Sequence, residues 1–248
     1  MNAISLVPLV GLPAVHEGHD LAALLAAAAR EAGVELREGV LVVCQKIISK
    51  AEGRVVALAS IDPSPQAQEI AREHERDPRQ VEVVLREATR IVRRGHGVLI
   101  CETRHGFVCA NAGVDLSNTN EADQAILLPE DPDASAARLR ASLLAGGTGP
   151  LGVIVSDTFG RPWREGLVDV ALGCAGLSPI DDRRGGQDWS GRPLEVTATA
   201  TADQLAAAAG LLMLKDAGVP AVWVSGVAPW GEGRLAETLR DPATDLFR

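Results

Sequence analysis

The order of short apolar segments along the chain constrains its fold more than any other feature of the sequence. The strands that these segments predict lie at 4–10, 41–44, 152–156, 194–199 and 221–224, the fourth of them half-exposed. Two further strands, at 98–101 and 107–110, flank the polar turn 102–106 and predict a hairpin. Capped amphipathic or alanine-rich segments predict helices at 21–30, 65–75, 80–92, 133–144 and 202–217. Because strands and helices do not alternate strictly, the sequence predicts an α+β fold of mixed sheets with flanking helices, and no Rossmann domain.

The net charge of the chain limits the kinds of partner that it is expected to bind. Its 248 residues carry a formal net charge of −9, and the isoelectric point is about 5.1. Broad binding to nucleic acid or to an anionic membrane requires a basic surface, so neither is expected as a partner. The first residues have no positively charged segment followed by an apolar one, so no signal peptide is predicted. The apolar runs are shorter than the ~20 residues that span a bilayer. We therefore expect a cytoplasmic protein.

The four cysteines are Cys44, Cys101, Cys109 and Cys174, and no two of them form a C-x-x-C pair. Cys101 and Cys109 lie on the two sides of the predicted hairpin turn. This spacing does not suggest a structural zinc site. The sequence predicts reduced, buried cysteines that pack as small apolar side chains.

The familiar nucleotide-binding motifs are missing from the sequence or occur in the wrong place. There is no G-x-x-x-x-G-K-[ST] P-loop and no G-x-S-x-G nucleophile motif. The segment 147–152 matches G-x-G-x-x-G, but it precedes a predicted strand. A dinucleotide fingerprint would follow a strand and open a helix. We interpret the segment as a connector between a helix and a strand.

Chemistry is concentrated in two polar segments that follow apolar strands. The segment 111–118 offers Asp115 together with amide and small residues, and the segment 156–164 offers Asp157, Thr158 and two arginines. Carboxylate and hydroxyl oxygens suit Mg²⁺ or Mn²⁺, and arginines bind phosphate or carboxylate through two hydrogen bonds. The alternative is that each segment is an ordinary turn in which an aspartate caps its own backbone.

Five sequence blocks follow one another in one order along the chain. They are Gly11-Leu12-Pro13 with Gly18-His19-Asp20-Leu21; Val42-Val43-Cys44 leading to Ile48-Ser49-Lys50-Ala51-Glu52-Gly53-Arg54; His105-Gly106-Phe107-Val108-Cys109-Ala110-Asn111-Ala112-Gly113-Val114-Asp115 with Ser117-Asn118; Ser156-Asp157-Thr158-Phe159-Gly160-Arg161-Pro162; and Gly191-Arg192-Pro193-Leu194-Glu195-Val196-Thr197. Together these blocks make the chain resemble the coenzyme F420:L-glutamate ligase family. The resemblance extends over nearly the whole sequence, from Leu9 to the closing Asp245-Leu246-Phe247-Arg248.

The resemblance implies a family-specific α+β fold, usually an intertwined homodimer, that binds GTP without a P-loop. Residues 1–248 would form a single ligase unit, with two intertwined lobes as one possible arrangement. Asp115 and Asp157 would hold one divalent metal, and Thr158 would contribute to a second. The residues expected to border or contact the nucleotide are Leu12, Pro13, Ala14, Val15, Gln45, Lys50 and Asn118.

The activity that the resemblance implies is addition of L-glutamate to the phospholactyl carboxylate of coenzyme F420-0. GTP would phosphorylate this carboxylate, and the glutamate amine would then displace phosphate, leaving GDP and phosphate as products. Two Mg²⁺ or Mn²⁺ ions would neutralise the phosphate oxygens. Whether K⁺ assists, and how many glutamates are added, is left open by the sequence.

Three further residues are candidates on chemical grounds. Arg161 and Arg164 are expected to bind the phosphodiester of the coenzyme or the carboxylates of the incoming glutamate. His105 could act on the amine proton, or it could be a structural hydrogen-bond donor in its turn.

Two departures from the family pattern leave alternatives open. Many relatives have a Met-Gly-Glu-like segment after the long helix, whereas this chain has Met213-Leu214-Lys215. The difference puts the base specificity in doubt. Some relatives also carry a flavin-reductase-like domain after this one, and the chain ends at Arg248, so we expect that activity to be absent. The alternative functions are an amide ligase for another carboxylate acceptor, a catalytically inactive nucleotide-binding module and a metal-dependent phosphohydrolase.

Overall fold

The structure, a computed structural model, describes residues 3–116, 123–228 and 230–246. Within these residues the strands are β1 (Ser5–Leu9), β2 (Gly39–Cys44), β3 (Val55–Ala57), β4 (Ala88–Gly95), β5 (Val98–Thr103), β6 (Val108–Ala110), β7 (Gln124–Ile126), β8 (Leu151–Arg161), β9 (Arg164–Ala175), β10 (Ile180–Asp182), β11 (Ala198–Ala200) and β12 (Ala221–Ser225). The α-helices there are α1 (Leu21–Glu31), α2 (Gln45–Ala51), α3 (Pro65–His74), α4 (Pro78–Glu87), α5 (Pro132–Ala145) and α6 (Thr201–Gly210).

A five-stranded mixed sheet with the order β1-β12-β2-β8-β9 forms the centre of the fold. Only β2 and β8 are parallel, with Gly39 opposite Leu151 and Cys44 opposite Ser156. The other neighbours in this sheet are antiparallel. A doubly wound domain would need a mostly parallel sheet, so the predicted α+β class is confirmed.

Both faces of the central sheet are covered, which explains the uninterrupted apolar sequence of β2. Successive side chains of a strand point to opposite faces. Leu41 and Val43 face the core formed with α1 and α5. Val40 and Val42 face the opposite core, formed with α6 and β9. Because β2 is packed on both faces, its end and the residues that follow it are held in a fixed position.

A third core lies under the three-stranded sheet β4-β5-β6. Its buried side chains come from α3, α4 and β5 and include Ile70, Val81, Val84 and Leu99. β5 and β6 form the predicted hairpin, with Cys101 opposite Cys109. The segment that leads to Asp115 leaves the sheet at the end of β6.

Helix starts agree with the sequence, and two predicted helix ends are wrong. Asp20 caps α1 by accepting a hydrogen bond from the backbone N–H of Ala23, as its sequence predicts. The helix predicted at 80–92 ends at Glu87, because Ala88–Gly95 pairs with β5 as a strand. The helix predicted at 202–217 ends at Gly210, which lies so close to the Asp169 carboxylate that a Cβ atom would not fit.

Two strand predictions also need correction. The strand predicted at 152–156 continues to Arg161, because β9 pairs with it along this extension. Asp157 and Thr158 therefore lie within a long strand and not at its end. Of the strand predicted at 194–199, only the last part is found, as β11, where β10 provides a partner in the described part of the chain.

None of the helices in residues 3–116, 123–228 and 230–246 has both the length and the apolar character needed to cross a bilayer. Cys101, Cys109 and Cys174 are buried and Cys44 is half-buried, and all four are free thiols. Burial raises their pKa values to about 11 for Cys44 and Cys101 and about 12 for Cys109 and Cys174. The single-unit organisation of residues 1–248 stays a prediction.

Candidate active site

A cleft of about 470 Å³ opens where the parallel strands β2 and β8 stop pairing. Its lining comes from the end of β2, the start of α2, β6 and the segment after it, the middle of β8, β9 and the segment after α6. Ligands commonly bind at the carboxyl ends of parallel strands, because the loops that follow are free to present side chains there. The lining includes Lys46, Asp115, Asp157, Thr158 and Asp169.

The two aspartates predicted as metal ligands meet in this cleft. Asp157 lies on β8, and Asp115 follows the short 3₁₀ turn Asn111–Gly113 that comes directly after β6. Asn111, Ala112 and Gly113 all have φ between +50° and +75°, so the backbone turns sharply before Asp115. A single bridge between Asp115 and Ile126 then holds this segment against β7.

A third carboxylate in the cleft comes from a strand that the sequence did not predict. Asp169 on β9 lies opposite Thr158 on β8. The Thr158 hydroxyl donates a hydrogen bond of 2.6 Å to Asp169 Oδ1. Thr158 therefore lies between Asp157, its neighbour in the chain, and Asp169, its neighbour across the sheet.

The electrostatics of the cleft suit a divalent cation. Burial raises the pKa of Asp157 from its ordinary value of 3.8 to about 7, and the charges of Asp115 and Asp169 act in the same direction. A cation beside these groups would relieve the repulsion among them. Ser156, the neighbouring residue, is 1% exposed, and its hydroxyl oxygen has no hydrogen-bond partner among the described residues. The carboxylates of Asp115 and Asp157 and the hydroxyl of Thr158 are oxygen donors of the kind that Mg²⁺ or Mn²⁺ binds. Water and phosphate oxygens would complete the coordination of such an ion.

The described residues contain no cluster of three or more His, Cys, Asp or Glu side chains that could hold a metal by themselves.

Lysines on one face of α2 supply positive charge. Lys46 Nζ lies 2.7 Å from Asp115 Oδ2. Lys50 is one helical turn further along α2 and so lies on the same face. Burial lowers the pKa of Lys50, and the charge of Lys46 lowers it further. The two ammonium groups therefore belong to one electrostatic site.

The segment predicted to border the nucleotide lies beside the last turn of α2. Val15 is buried in the core with α1, while Pro13 and Ala14 are exposed and Leu12 is half-buried. The backbone N–H of Gly18 donates to the carbonyl of Ala51 at 2.9 Å, which ties this loop to the end of α2.

The other predicted nucleotide residues are placed as follows. Gln45 is buried at the start of α2, where its Oε1 accepts a hydrogen bond of 2.8 Å from Ser49. This arrangement turns the Gln45 side chain along its own helix. Lys50 belongs to the helix face described above. Asn118 lies outside the described residues.

The sequence matches the family described as F420-0:Gamma-glutamyl ligase over residues 10–226. The chain belongs to this family. The resemblance drawn from the five sequence blocks is thereby confirmed.

Relatives match over almost their whole length. The chain is 48% identical to the coenzyme F420:L-glutamate ligase of Methanothermobacter thermautotrophicus, with 99% of each chain covered. It is 46% identical to the protein of that name from Methanopyrus kandleri, over 94% of this chain and 93% of that one. The Archaeoglobus fulgidus protein of the same name is 40% identical over 99% of this chain and 96% of its own.

Two arginines predicted to bind substrate lie away from the cleft of this family member. Arg161 and Arg164 face each other at the tip of the β8–β9 hairpin, four and seven residues beyond Asp157. An Arg161 Nη2 atom donates to the carbonyl of Glu165 at 2.7 Å, and neither arginine lines the cleft. The strand extension that was not predicted carries them outward.

His105 is also outside the cleft. Its Nε2 atom lies 2.9 Å from the carbonyl oxygen of Pro129 and 3.1 Å from that of Glu130, so this nitrogen is the donor. The ring stacks on Phe107 at a centroid distance of 5.7 Å. These contacts favour a structural role for His105 over a role in moving the amine proton.

The segment Met213-Leu214-Lys215, which the sequence predicts to depart from the family pattern, lies directly at the cleft. Its three residues are among the lining residues, together with Gly218 and Pro220. α6 ends before this segment, at Gly210. Lys215 therefore contributes a positive charge to the cleft itself.

Sequence reasoning missed Lys46 and Asp169. Lys46 could have been found from its i, i+4 spacing to Lys50, had 45–51 been recognised as a helix. Asp169 sits on β9, in a segment with interrupted alternation, and nothing in the sequence relates it to Thr158.

Proposed function

We propose that this protein is a GTP- and divalent-metal-dependent ligase that adds L-glutamate to the phospholactyl carboxylate of coenzyme F420-0. Membership of the F420-0:gamma-glutamyl ligase family supports the substrates. The relatives are named as coenzyme F420:L-glutamate ligases, and they match this chain from end to end. The products would be the glutamylated coenzyme, GDP and phosphate.

The observation that carries the proposal is the meeting of Asp115, Asp157 and Thr158 in one cleft with Lys46. Three oxygen-bearing side chains beside an ammonium group suit a polyphosphate with its metal ions. The residues come from segments that lie far apart in the sequence, and the fold brings them together. A turn in which each aspartate only caps its own backbone would not need this convergence.

The reaction has to overcome the poor leaving group of a carboxylate. Transfer of the γ-phosphoryl group of GTP to the terminal carboxylate oxygen gives an acyl phosphate and GDP. The glutamate amine then attacks the carbonyl carbon, the C–O bond to phosphate breaks, and the amine loses a proton as the amide forms. Phosphoryl transfer depends mainly on positioning and on charge neutralisation.

The residues of the chain would divide this task. Asp115, Asp157 and Thr158 would hold Mg²⁺ or Mn²⁺, which when bound supplies positive charge to the phosphate oxygens. Lys46 and Lys50 would add point charges along the phosphates, in place of the backbone amides of a P-loop. The segment 12–15 beside α2, with Pro13 and Ala14 exposed, would border the nucleotide. The role of K⁺ is left open.

The proposal includes a homodimer, which a separate structural observation supports. The β8–β9 hairpin extends beyond its pairing with β2, and its tip exposes Trp163 and Leu167 at 79% and 62% of their surface. Large apolar side chains on a projecting arm suit burial against a second copy. Such contact would also bring Arg161 and Arg164 against the partner. Sedimentation equilibrium tests this, with a monomeric mass as the contrary result.

Mass spectrometry provides the direct test of the activity. Glutamate-free coenzyme is incubated with the protein, GTP, L-glutamate and Mn²⁺, and each control omits one component. A mass gain of one or more glutamyl units that requires both GTP and metal is the expected result. Phosphate release from GTP without glutamate or coenzyme would instead identify a phosphohydrolase. Binding of GTP and metal without either reaction would favour another acceptor or a non-catalytic module.

A further inference from the structure

Lys46 pairs with one carboxylate oxygen of Asp115, a candidate metal ligand. Its Nζ atom lies 2.7 Å from Asp115 Oδ2, and the two side chains are only 20% and 25% exposed. Lys46 projects from the first turn of α2, and Asp115 comes from the segment after β6. The pair therefore exists only because the fold joins two distant segments.

A divalent ion and this ammonium group compete for the same carboxylate. Two positive charges on one carboxylate repel each other at distances of a few ångströms. Binding of a metal between Asp115 and Asp157 would therefore weaken the hold of Lys46 on Asp115 and favour its release. The lysine side chain is a point charge on four flexible carbons, so it can reorient towards another anion in the same cleft.

We propose that Lys46 is a resident cation that holds Asp115 until a divalent metal binds, and that it then moves to a phosphate oxygen of the nucleotide. This role rests on the metal and nucleotide site of the proposed function. As a consequence, the metal and the nucleotide each strengthen binding of the other, because a phosphate oxygen replaces the Asp115 carboxylate as the partner of Lys46. Such coupling is reciprocal: the metal strengthens nucleotide binding by the same factor.

The test measures Mn²⁺ affinity from the electron paramagnetic resonance signal of free Mn²⁺, with no turnover involved. Wild-type protein and the Lys46→Met variant are titrated without nucleotide and with saturating GDP. Loss of a partly buried, charge-assisted ion pair should tighten nucleotide-free Mn²⁺ binding of Lys46→Met by about tenfold. The factor by which GDP improves Mn²⁺ binding should fall by a similar amount.

Lys215→Met is the matched control. Lys215 lines the same cleft and carries the same charge, but it is exposed. Its removal should change nucleotide-free Mn²⁺ affinity by less than about twofold. Lys46→Gln serves as a second variant, and circular dichroism checks that each variant is folded.

Each result has a distinct meaning. Unchanged or weaker nucleotide-free Mn²⁺ binding by both Lys46 variants would overturn the competition, while the metal site of the proposed function would stand. Equal tightening in Lys215→Met would also overturn it, because any lost positive charge would then suffice. If no form of the protein binds Mn²⁺ with or without GDP, the proposed metal site itself fails, and the role of Lys46 fails with it.

Discussion

The buried carboxylate of Asp133 should stabilise the fold more than any other single acceptor near the central sheet. It is 5% exposed and lies in the first turn of α5. Its Oδ1 accepts hydrogen bonds from the backbone N–H groups of Cys174 at 2.8 Å and Leu235 at 2.9 Å. Its Oδ2 accepts one from Ala236 at 3.1 Å and lies 3.7 Å from Arg234 Nε. One side chain thus joins α5, β9 and the segment near the C-terminus.

The Asp133→Ala variant leaves these backbone donors without their acceptor. Each buried donor left unpaired costs about 1–3 kcal/mol, and release of a buried carboxylate offsets part of the sum. We expect a loss of about 3–4 kcal/mol in the free energy of unfolding, out of a total that is about 5–15 kcal/mol for most proteins. For a chain of this size that loss lowers Tm by roughly 10 °C.

Thermal and urea unfolding followed by circular dichroism measure this difference, and a neighbouring residue provides the control. Asp131 caps the same helix by accepting from Ala134 at 3.0 Å, and it also pairs with Arg234, but it is exposed. Asp131→Ala should cost about 1 kcal/mol, or roughly 3 °C in Tm.

The Asp133→Asn variant tests the role of charge. Its Oδ1 could still accept two hydrogen bonds, while its amide nitrogen would face the N–H of Ala236 and the guanidinium of Arg234. We therefore expect a loss between those of the two alanine variants. If Asp133→Ala lowers Tm no further than Asp131→Ala, the buried hydrogen bonds do not carry the stability assigned to them.

Three further predictions concern the site, a close contact and the thiols. Asp115→Asn or Asp157→Asn should abolish glutamate addition while leaving the protein folded, and near-native activity of either variant would remove it from the metal site. Gly173→Ala should destabilise the protein by roughly 3 kcal/mol, because the new Cβ would overlap the backbone carbonyl of Pro132. Urea unfolding measures this loss, and an unchanged midpoint would show that β9 and α5 can separate freely. The buried thiols of Cys101, Cys109 and Cys174 should react slowly with a chromogenic disulfide reagent at pH 8, because burial raises their pKa values to about 11 or 12. All four cysteines should react at once in guanidinium chloride, and rapid reaction of more than one thiol in the native protein would contradict the burial of these three.

Local signals in the sequence were sufficient wherever neighbouring residues decide the structure. Asp20 caps α1 through its side chain and Pro65 opens α3, so both helix starts could be predicted. The apolar run of β2 predicted a buried strand because it is covered on both faces. The polar residues after β6 and in β8 identified the two segments that meet in the cleft.

Errors occurred where a distant partner decides the structure. Ala88–Gly95 is rich in β-branched and charged residues, and it forms a strand because β5 offers hydrogen bonds to it. The extension of β8 to Arg161 depends on β9, and it places Arg161 and Arg164 at the tip of the hairpin, outside the lining of the cleft. Gly210 ends α6 beside Asp169, a residue from a different strand.

The sequence by itself determined the α+β class, the family, and the identity of Asp115, Asp157 and Thr158 as candidate ligands, because these depend on residue types and on spacing within short segments. Only the tertiary structure decided that Lys46 pairs with Asp115 and that Asp169 accepts from Thr158. The first contact joins two distant segments and depends on the packing of α2 beside the segment after β6. The second joins residues 11 positions apart and depends on the register of β8 with β9. Those are properties of the whole folded chain, and no local pattern encodes them.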